Sequence, residues 1–403
     1  MSLNMTTFEA ALKQVYTSDR IENMVYKDNP FLAMVSKYES FGGENLKLPI
    51  KFGIPQGRSI TFANAQANKT NTQLKAFLLT RIKDYSLASI DNETIEASKG
   101  NSNAFMEAAT VEIDGAIESA TRSLASSIYR SGSGSIGQVL LGSTSNSFTL
   151  TNAEDVVNFE VGMTIVFSAT DGLTSVESGT ALIVGVDREF GIITVSAALT
   201  SINGGAGPAT NDFVFVQGDY AGKISGLSAW LPNVAPVPGN FFFGVDRSAD
   251  PSRLAGIRYD GSALPIEEAL VSAAALVGRE GGNPDYCFLA YSKYAELEKA
   301  LGSKVIYTEI KVKTEIGFRG ILVHGPRGPI AVVPDQNCPH DHAFMLSMQY
   351  WKLYSLGKCP KILDTDGLKM LRDSSADSVE VRIGYYAQLG CRAPGFNCNI
   401  YLG

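Results

Sequence analysis

The sequence is poor in the residues that build metal centres and disulfide frameworks. It has three histidines and five cysteines among 403 residues. The cysteines form an odd-numbered set confined to the last third of the chain, at Cys287, Cys338, Cys359, Cys391 and Cys398. Disulfide scaffolds are typically short secreted chains with paired cysteines. The pattern therefore favours reduced thiols in an intracellular protein.

The sequence also lacks a long apolar run and an excess of basic residues. No run approaches the ~20 apolar residues of a membrane span, and the N-terminus lacks the apolar core of a signal peptide. We therefore expect no membrane contact. The net charge of −7 argues against a protein that binds nucleic acid through a broad basic face. It does not exclude a protein that merely encloses nucleic acid.

Catalytic motifs are missing as well. There is no Gly-x-Ser-x-Gly elbow and no phosphate-binding Gly-Lys-Ser/Thr loop. Cys338, His340 and His342 lie close together and could form a zinc site with Cys359. Structural zinc sites need a second ligand pair at a defined spacing, which is absent from the sequence. We therefore expect a polar loop at these positions, and neither a metal, a cofactor nor a catalytic residue.

What the sequence does contain is a long helix pattern at about residues 103 to 129. Apolar residues recur there every three or four positions, as at Ile113, Ile117, Leu124 and Ile128, which predicts an amphipathic helix. The stretch "SGSGSIG" ends it. Short β-branched or aromatic runs with few lysines and arginines then follow to about residue 220. Their spacing predicts a small β-barrel or sandwich inserted into a larger domain.

The segments on either side of this insert predict an α+β fold. Before the helix, strand patterns flank a polar stretch rich in Asn and Gln, which indicates an extended hairpin whose tip has no core of its own. After the insert, "LPIEEALVSAAALVGREGG" predicts a helix. "DYCFLAYSKYAELEKALGSK" predicts a strand and then a helix capped by Ser292. The alternation in "SVEVRIGYYAQLG" predicts terminal strands.

The order of these parts resembles the major capsid proteins of tailed bacteriophages, which have the Hong Kong 97-type shell fold. The resemblance covers residues 5–136 and about 221–403. It is carried by the following segments: "YKDNPFLAMVSKYESFGGENLKLPIKFG", "NSNAFMEAATVEIDGAIESATRSLASSIY", "NPDYCFLAYSKYAELEKALGS", "RGPIAVVPD" and "YYAQLGCRAPGFNCNIYL". The insert departs from the many family members that pass directly from the helix into the remaining shell domain.

The resemblance implies a division of the chain into named parts. These are an N-terminal arm (1–50), an extended loop (51–100), the spine helix of a peripheral domain (101–136), the inserted β domain (137–220), a mainly axial domain (221–360) and terminal strands shared by the axial and peripheral domains (361–403).

The resemblance also implies a function. We expect self-assembly through hexamers and pentamers into an icosahedral shell that encloses double-stranded DNA without sequence-specific binding. Partners would be other copies of the chain, a scaffolding protein and a portal. The location would be the virion capsid, assembled in the host cytoplasm.

In such a shell the extended loop of one subunit would rest on the spine region of the next. Basic residues on the loop are then candidate salt-bridge donors to acidic residues on the neighbouring helix. The candidate interface residues are Arg58, Lys69 and Arg81 on the loop, and Glu107, Glu112 and Glu118 on the helix.

Two alternatives stay open from the sequence. An encapsulin-like compartment would use the same fold to hold enzymes instead of DNA. A phage tail or adhesin protein would use the β insert as a binding module, although the absent signal sequence disfavours a secreted adhesin.

Overall fold

The computed structural model describes residues 24–93, 102–302, 305–313, 316–364, 370–373 and 376–403. Residues 102–109, 311–313, 316–317 and 370 are described by their backbone alone. The helices are α1 (Pro30–Met34), α2 (Phe62–Ala67), α3 (Ser102–Ser127), α4 (Leu227–Trp230), α5 (Pro251–Ala255), α6 (Ile266–Arg279) and α7 (Tyr291–Leu301). None of the helices in these ranges has both the length and the apolarity needed to cross a membrane.

The first sheet is built around one long terminal strand. Its members are β1 (Ser36–Tyr38), β4 (Ile82–Asp91), β19 (Trp351–Ser355), β20 (Lys361–Ile362), β21 (Met370–Arg372) and β22 (Ser378–Cys391). Strand β22 pairs antiparallel with β4 from Ser378↔Asp91 to Ala387↔Ile82. In the first half of β22, Val379, Val381 and Ile383 are buried between the less buried Glu380 and Arg382, and residues 387–391 are all buried. This sheet therefore presents one apolar face to a helix.

That helix is α3, which we call the spine helix. It contacts β4 and β22, and its large buried side chains include Ile113, Ile117, Leu124 and, just past its end, Ile128. These are the positions that the helical spacing predicted. They belong to a core that also takes in the N-terminal arm and Trp230. The segment around α1 is thus part of this cluster, which we call the main core.

The second sheet has seven strands. In spatial order its strands are β13 (Ile257–Asp260), β23 (Cys398–Tyr401), β18 (His342–Leu346), β14 (Tyr286–Leu289), β17 (Gly328–Pro334), β16 (Ile316–Gly325) and β15 (Tyr307–Lys313). Helix α6 covers it with Ile266, Leu270 and Val277, which are buried. Helix α7 begins at Tyr291 with Ala290 as its N-cap. The prediction of Ser292 as the cap was wrong, because the Ser292 hydroxyl is hydrogen-bonded to His340.

The insert has a sheet and a core of its own. In spatial order its strands are β5 (Ser135–Gln138), β10 (Phe213–Val216), β7 (Thr164–Ser168), β8 (Ala181–Asp187), β9 (Ile192–Val195) and β6 (Ser147–Thr149). Its buried cluster includes Phe148, Phe159, Phe167 and Ile193 and is separate from the other cores. The first and last strands, β5 and β10, pair with each other, so the chain enters and leaves the insert at neighbouring points.

Two ribbons complete the fold. The extended hairpin consists of β2 (Asn45–Gly53) and β3 (Gln73–Thr80), paired antiparallel from Asn45↔Thr80 to Gly53↔Gln73. We call residues 45–80 the hairpin and residues 54–72 its tip. A short ribbon of β11 (Phe241–Phe242) and β12 (Val245–Asp246) packs beside the hairpin.

Candidate assembly surface

The foot of the hairpin is anchored in the subunit that carries it. Alternate side chains of the two strands, Leu48, Ile50, Phe77 and Leu79, are at most 4% exposed. The Phe77 ring stands edge-on to Trp230 with the ring centroids 5.0 Å apart. Period-two alternation buries one face of a strand, and here that face joins the main core.

Backbone contacts hold the same strands in place. The Lys75 ammonium donates a hydrogen bond to the carbonyl of Asp246 at 2.8 Å, and the Arg253 guanidinium donates to the carbonyl of Phe52 at 2.7 Å. The Leu78 N–H donates to the carbonyl of Phe243 at 3.0 Å. The direction in which the hairpin leaves the body of the subunit is therefore fixed.

Within the described part of the chain, the hydrogen bonds of the tip join residues of the tip or of the adjoining strand. The Gln56 N–H donates to the Thr70 hydroxyl at 2.7 Å, and the Thr70 N–H returns a bond to the Gln56 carbonyl at 2.8 Å. No side chain of α2 is buried. Ile60 is fully exposed and Phe62 is 79% exposed. The sequence interpretation described this stretch as polar and missed these apolar side chains, which suit a surface that another molecule covers.

The charged residues of the hairpin are all basic. Residues 45–80 contain five lysines or arginines and no acidic residue. Arg58 and Lys69 are exposed at the tip, and neither forms an ion pair with any residue in the described part of the chain. Arg81 lies at the foot, where its guanidinium donates to the Phe41 carbonyl and lies over the Phe41 ring. Of the three predicted donors, the two at the tip project away from the subunit.

The predicted acidic partners lie on the spine helix. Glu112 is exposed and forms no ion pair with a described residue. Glu118 is paired with Arg122 at 2.7 Å, and Arg122 also pairs with Glu160 of the insert. The side chain of Glu107 lies outside the described residues. The sequence interpretation did not identify Arg122 or Glu160, which link the helix to the insert.

A buried lysine links the end of the insert to the first sheet and to the spine helix. Lys223 is 8% exposed, and its ammonium lies 2.7 Å from Asp84 Oδ2 and 2.9 Å from Asp219 Oδ2. Asp84 also accepts hydrogen bonds from the hydroxyls of Ser123 and Tyr385. Burial raises the pKa of Asp219, and the ion pair with Lys223 opposes this rise. These contacts connect the insert's exit strand to β4, β22 and the spine helix.

Between the insert and the spine helix lies a cleft of about 780 Å³. Gly115, Glu118, Ser119 and Arg122 line one wall from the helix, and the insert supplies the opposite wall, including Val161. A Cβ on Gly115 would have no atom within 4 Å. The helix wall of the cleft is thus open and unfilled.

Residues 338–342, the possible zinc site in the sequence, contact helix α7, the insert and β23. His340 Nδ1 is 2.9 Å from the Ser292 hydroxyl and 3.4 Å from Glu154 of the insert, and His342 Nδ1 is 2.9 Å from Asn399 Oδ1. The Cys338 thiol is buried, which raises its pKa well above its ordinary value. The described residues contain no cluster of three His, Cys, Asp or Glu side chains placed to share a metal ion.

Comparison with solved structures assigns the fold. The chain is similar to the capsid asymmetric unit of cyanophage A-1(L), with a TM-score of 0.50 and 13% identity over 93% of this chain and 92% of the other. It also matches a chain of Mycobacterium phage Ogopogo with a TM-score of 0.42 and 10% identity, over 93% and 92% of the two chains. The protein has the Hong Kong 97-type fold of phage capsid proteins, and the predicted α+β class is confirmed.

A sequence-family model matches part of the chain. The model of the SU10 major capsid protein family matches residues 200–381, which run from the last part of the insert through most of the second sheet into β22. No curated protein matches the chain. The resemblance to phage major capsid proteins is confirmed, and the family match with the shared fold supports a structural role in a capsid shell.

Proposed function

We propose that this protein is the major capsid protein of a tailed phage. Its subunits assemble as hexamers and pentamers into a closed icosahedral shell around double-stranded DNA, in the cytoplasm of the host. The observation that carries this proposal is the hairpin, whose anchored foot and coreless, apolar-studded tip suit a contact with a neighbouring subunit. The match to a major capsid protein family agrees with it.

Arg58 and Lys69 at the tip are the proposed donors to Glu112 and Glu118 of the adjacent spine helix. An exposed ion pair is worth only ~0–1 kcal/mol, so no single pair holds the shell together. Repetition at every subunit contact and burial of the apolar tip side chains supply the rest. Arg81 contributes indirectly, because its contact with Phe41 fixes the foot of the hairpin.

Charge distribution supports an orientation for the insert. Residues 137–220 contain nine acidic residues and one basic residue, while the other 319 residues contain 32 acidic and 33 basic residues. The insert therefore carries all of the chain's net negative charge. DNA phosphates repel such a surface, so we place the insert on the outside of the shell, away from packaged DNA.

The test is negative-stain electron microscopy with light scattering on the same purified sample. We expect closed shells or uniform five- and six-fold rings. A species that stays small across salt and protein concentrations, with and without a co-expressed scaffolding protein, would contradict the proposal. Nuclease-protected DNA in shells purified with the portal separates a virion capsid from an encapsulin-like compartment, which would hold protein.

A further inference from the structure

We propose that the side chains of Lys223 and Asp84 condense to an isopeptide bond within one subunit, with Asp219 as the proton acceptor. The bond joins the segment that follows the insert to strand β4 and spans 139 positions of the chain. It closes a covalent loop that contains the spine helix and the insert. Because all three residues belong to the same subunit, this inference goes beyond the proposed shell function and does not depend on assembly.

The first argument is that the two reacting groups touch each other and are shielded from water. The Lys223 side chain is 8% exposed, the Asp84 side chain is 14% exposed, and Lys223 Nζ lies 2.7 Å from Asp84 Oδ2. Among the residues whose side chains the structure describes, Lys223 is the only buried lysine. Groups held in contact react as if they were very concentrated, with effective molarities on the order of 10⁵–10⁸ M when they are well oriented.

The second argument is that a second carboxyl group is placed to take a proton from the lysine. An ammonium group becomes a nucleophile only after it has lost a proton. Asp219 Oδ2 lies 2.9 Å from Lys223 Nζ. Burial raises the pKa of Asp219, the ion pair with Lys223 opposes this rise, and the neighbouring Asp84 carboxylate adds to it. Asp219 therefore accepts a proton more readily than an ordinary aspartate does.

The third argument is that two hydroxyl groups are placed to stabilise charge on Asp84. Asp84 Oδ2 accepts hydrogen bonds from the Ser123 hydroxyl at 2.7 Å and from the Tyr385 hydroxyl at 3.0 Å. Burial raises the pKa of Tyr385 well above its ordinary value, so this hydroxyl keeps its proton and remains a donor. When an amine attacks the carboxyl carbon, negative charge develops on the oxygen, and donors already in position stabilise that charge.

The condensation balances without any further reactant. The Lys223 ammonium gives one proton to Asp219, which passes it to Oδ1 of Asp84. The neutral Nζ atom then attacks Cγ of this carboxylic acid, and Oδ2 carries the negative charge of the tetrahedral intermediate. A second proton moves from Nζ through Asp219 to Oδ1, the Cγ–Oδ1 bond breaks, and water leaves. One carboxylate and one ammonium have then become one amide and one water.

The released water has a way out of the site. Lys223, Asp84 and Asp219 all line the cleft between the spine helix and the insert. The reacting atoms are therefore covered by the protein on one side and lie next to an open cleft on the other.

Mass spectrometry of the denatured wild-type chain tests the bond. We expect an intact mass that is lower by one water than the mass calculated from the sequence. Trypsin does not cleave after an acylated lysine, so the digest should contain a branched peptide that joins residues 84–99 to residues 189–247. A chain with its full calculated mass overturns the inference. A loss of water confined to residues 189–247 means a bond between Lys223 and Asp219, and it overturns the inference too.

Matched variants test the part that each group plays. Lys223→Met removes the nucleophile and Asp219→Asn removes the proton acceptor, so both chains should keep their full calculated mass. Asp187→Asn replaces an exposed aspartate of the insert and should lose water as completely as the wild type. If Asp219→Asn also loses water completely, the proposed role of Asp219 is overturned. All masses are measured on single denatured chains, so a negative result leaves the proposed shell function standing, and a failure to form shells leaves this inference standing.

Discussion

The Tyr129 hydroxyl donates a hydrogen bond to Asp335 Oδ2 across 2.8 Å, although the two residues are 206 positions apart. Asp335 is fully buried, and its carboxylate also accepts the N–H groups of Phe31 and Asn337. Burial raises the pKa of Asp335, and these hydrogen bonds oppose the rise. A single carboxyl group thus joins helix α1, the end of the spine helix and the loop after β17.

Loss of this hydrogen bond should destabilise the contact between these three segments without leaving a cavity. Tyr129→Phe keeps the ring that packs against Phe31 and Phe288 but leaves Asp335 with one donor fewer. We expect a loss of about 1–3 kcal/mol in the free energy of unfolding, measured by urea denaturation. Tyr85→Phe at an exposed position is the control and should change stability by less than about 0.5 kcal/mol. Equal effects of the two variants would contradict this role.

The foot and the tip of the hairpin should respond differently when their apolar side chains are replaced. Phe77 is fully buried at the foot, so Phe77→Ala should cost about 3–5 kcal/mol of subunit stability. Ile60→Ser with Phe62→Ser alters only exposed side chains, so the melting temperature of the unassembled subunit should stay unchanged while shell formation is lost. Calorimetry and light scattering on the same preparations measure both. Unimpaired assembly of the tip variant would show that its apolar side chains are dispensable.

The elements that could be predicted from the sequence are those whose signal is local. The spine helix repeats apolar residues such as Ile113, Ile117 and Leu124 on one face, and β22 alternates along its whole length, so both were predicted. Ser292 was predicted as a helix cap because its type suits that position. It bonds instead to His340, which is 48 positions away, and a contact of that range leaves no local pattern.

On the assembly surface, too, only features with a local sequence signal could be predicted. Arg58 and Lys69 could be proposed because an exposed basic tip follows from composition. Ile60 and Phe62 escaped notice because two apolar residues within a polar stretch have no periodicity, and their exposure is a property of the folded hairpin. The pair of Lys223 with Asp84 spans 139 positions, and only the packing of the insert's exit against β4 brings these charges together.

Removing the buried lysine should weaken the attachment of the insert. Lys223→Met leaves Asp84 and Asp219 close together without a cation, although Ser123 and Tyr385 still donate to Asp84. Breaking a buried pair on one side typically costs about 3–5 kcal/mol. We expect a lower melting temperature and faster proteolysis near residue 219. Lys299→Met, which removes an exposed ammonium on helix α7, should have little effect and serves as the control.

The insert should become less stable as the pH rises through neutrality. Burial, together with the neighbouring Asp212 carboxyl, raises the pKa of Glu177 from 4.5 to about 7. Glu177 Oε2 has no hydrogen-bond partner among the described residues, and Asp212 is 3% exposed.

Because the folded-state pKa lies above the unfolded one, the stabilisation is fully present below about pH 4.5 and is lost as the pH rises through about 7. Calorimetry from pH 5 to pH 8.5 should show this fall in the wild-type chain and a flatter profile in Glu177→Gln. A wild-type profile as flat as that of the variant would contradict the prediction.

The insert should be removable because the chain enters and leaves it at neighbouring points. The Ala221 N–H donates to the Ser133 carbonyl at 2.6 Å, and among the described residues the insert's hydrophobic cluster shares none with the main core. Deleting residues 138–219 and joining the ends should leave a subunit with the far-UV signal of the remaining helices and strands and with a cooperative thermal transition. The deletion also removes Asp219 and Glu160, so Lys223 and Arg122 each lose one acidic partner. We therefore expect a modest loss of stability. An insoluble product would show that the rest of the chain depends on the insert to fold.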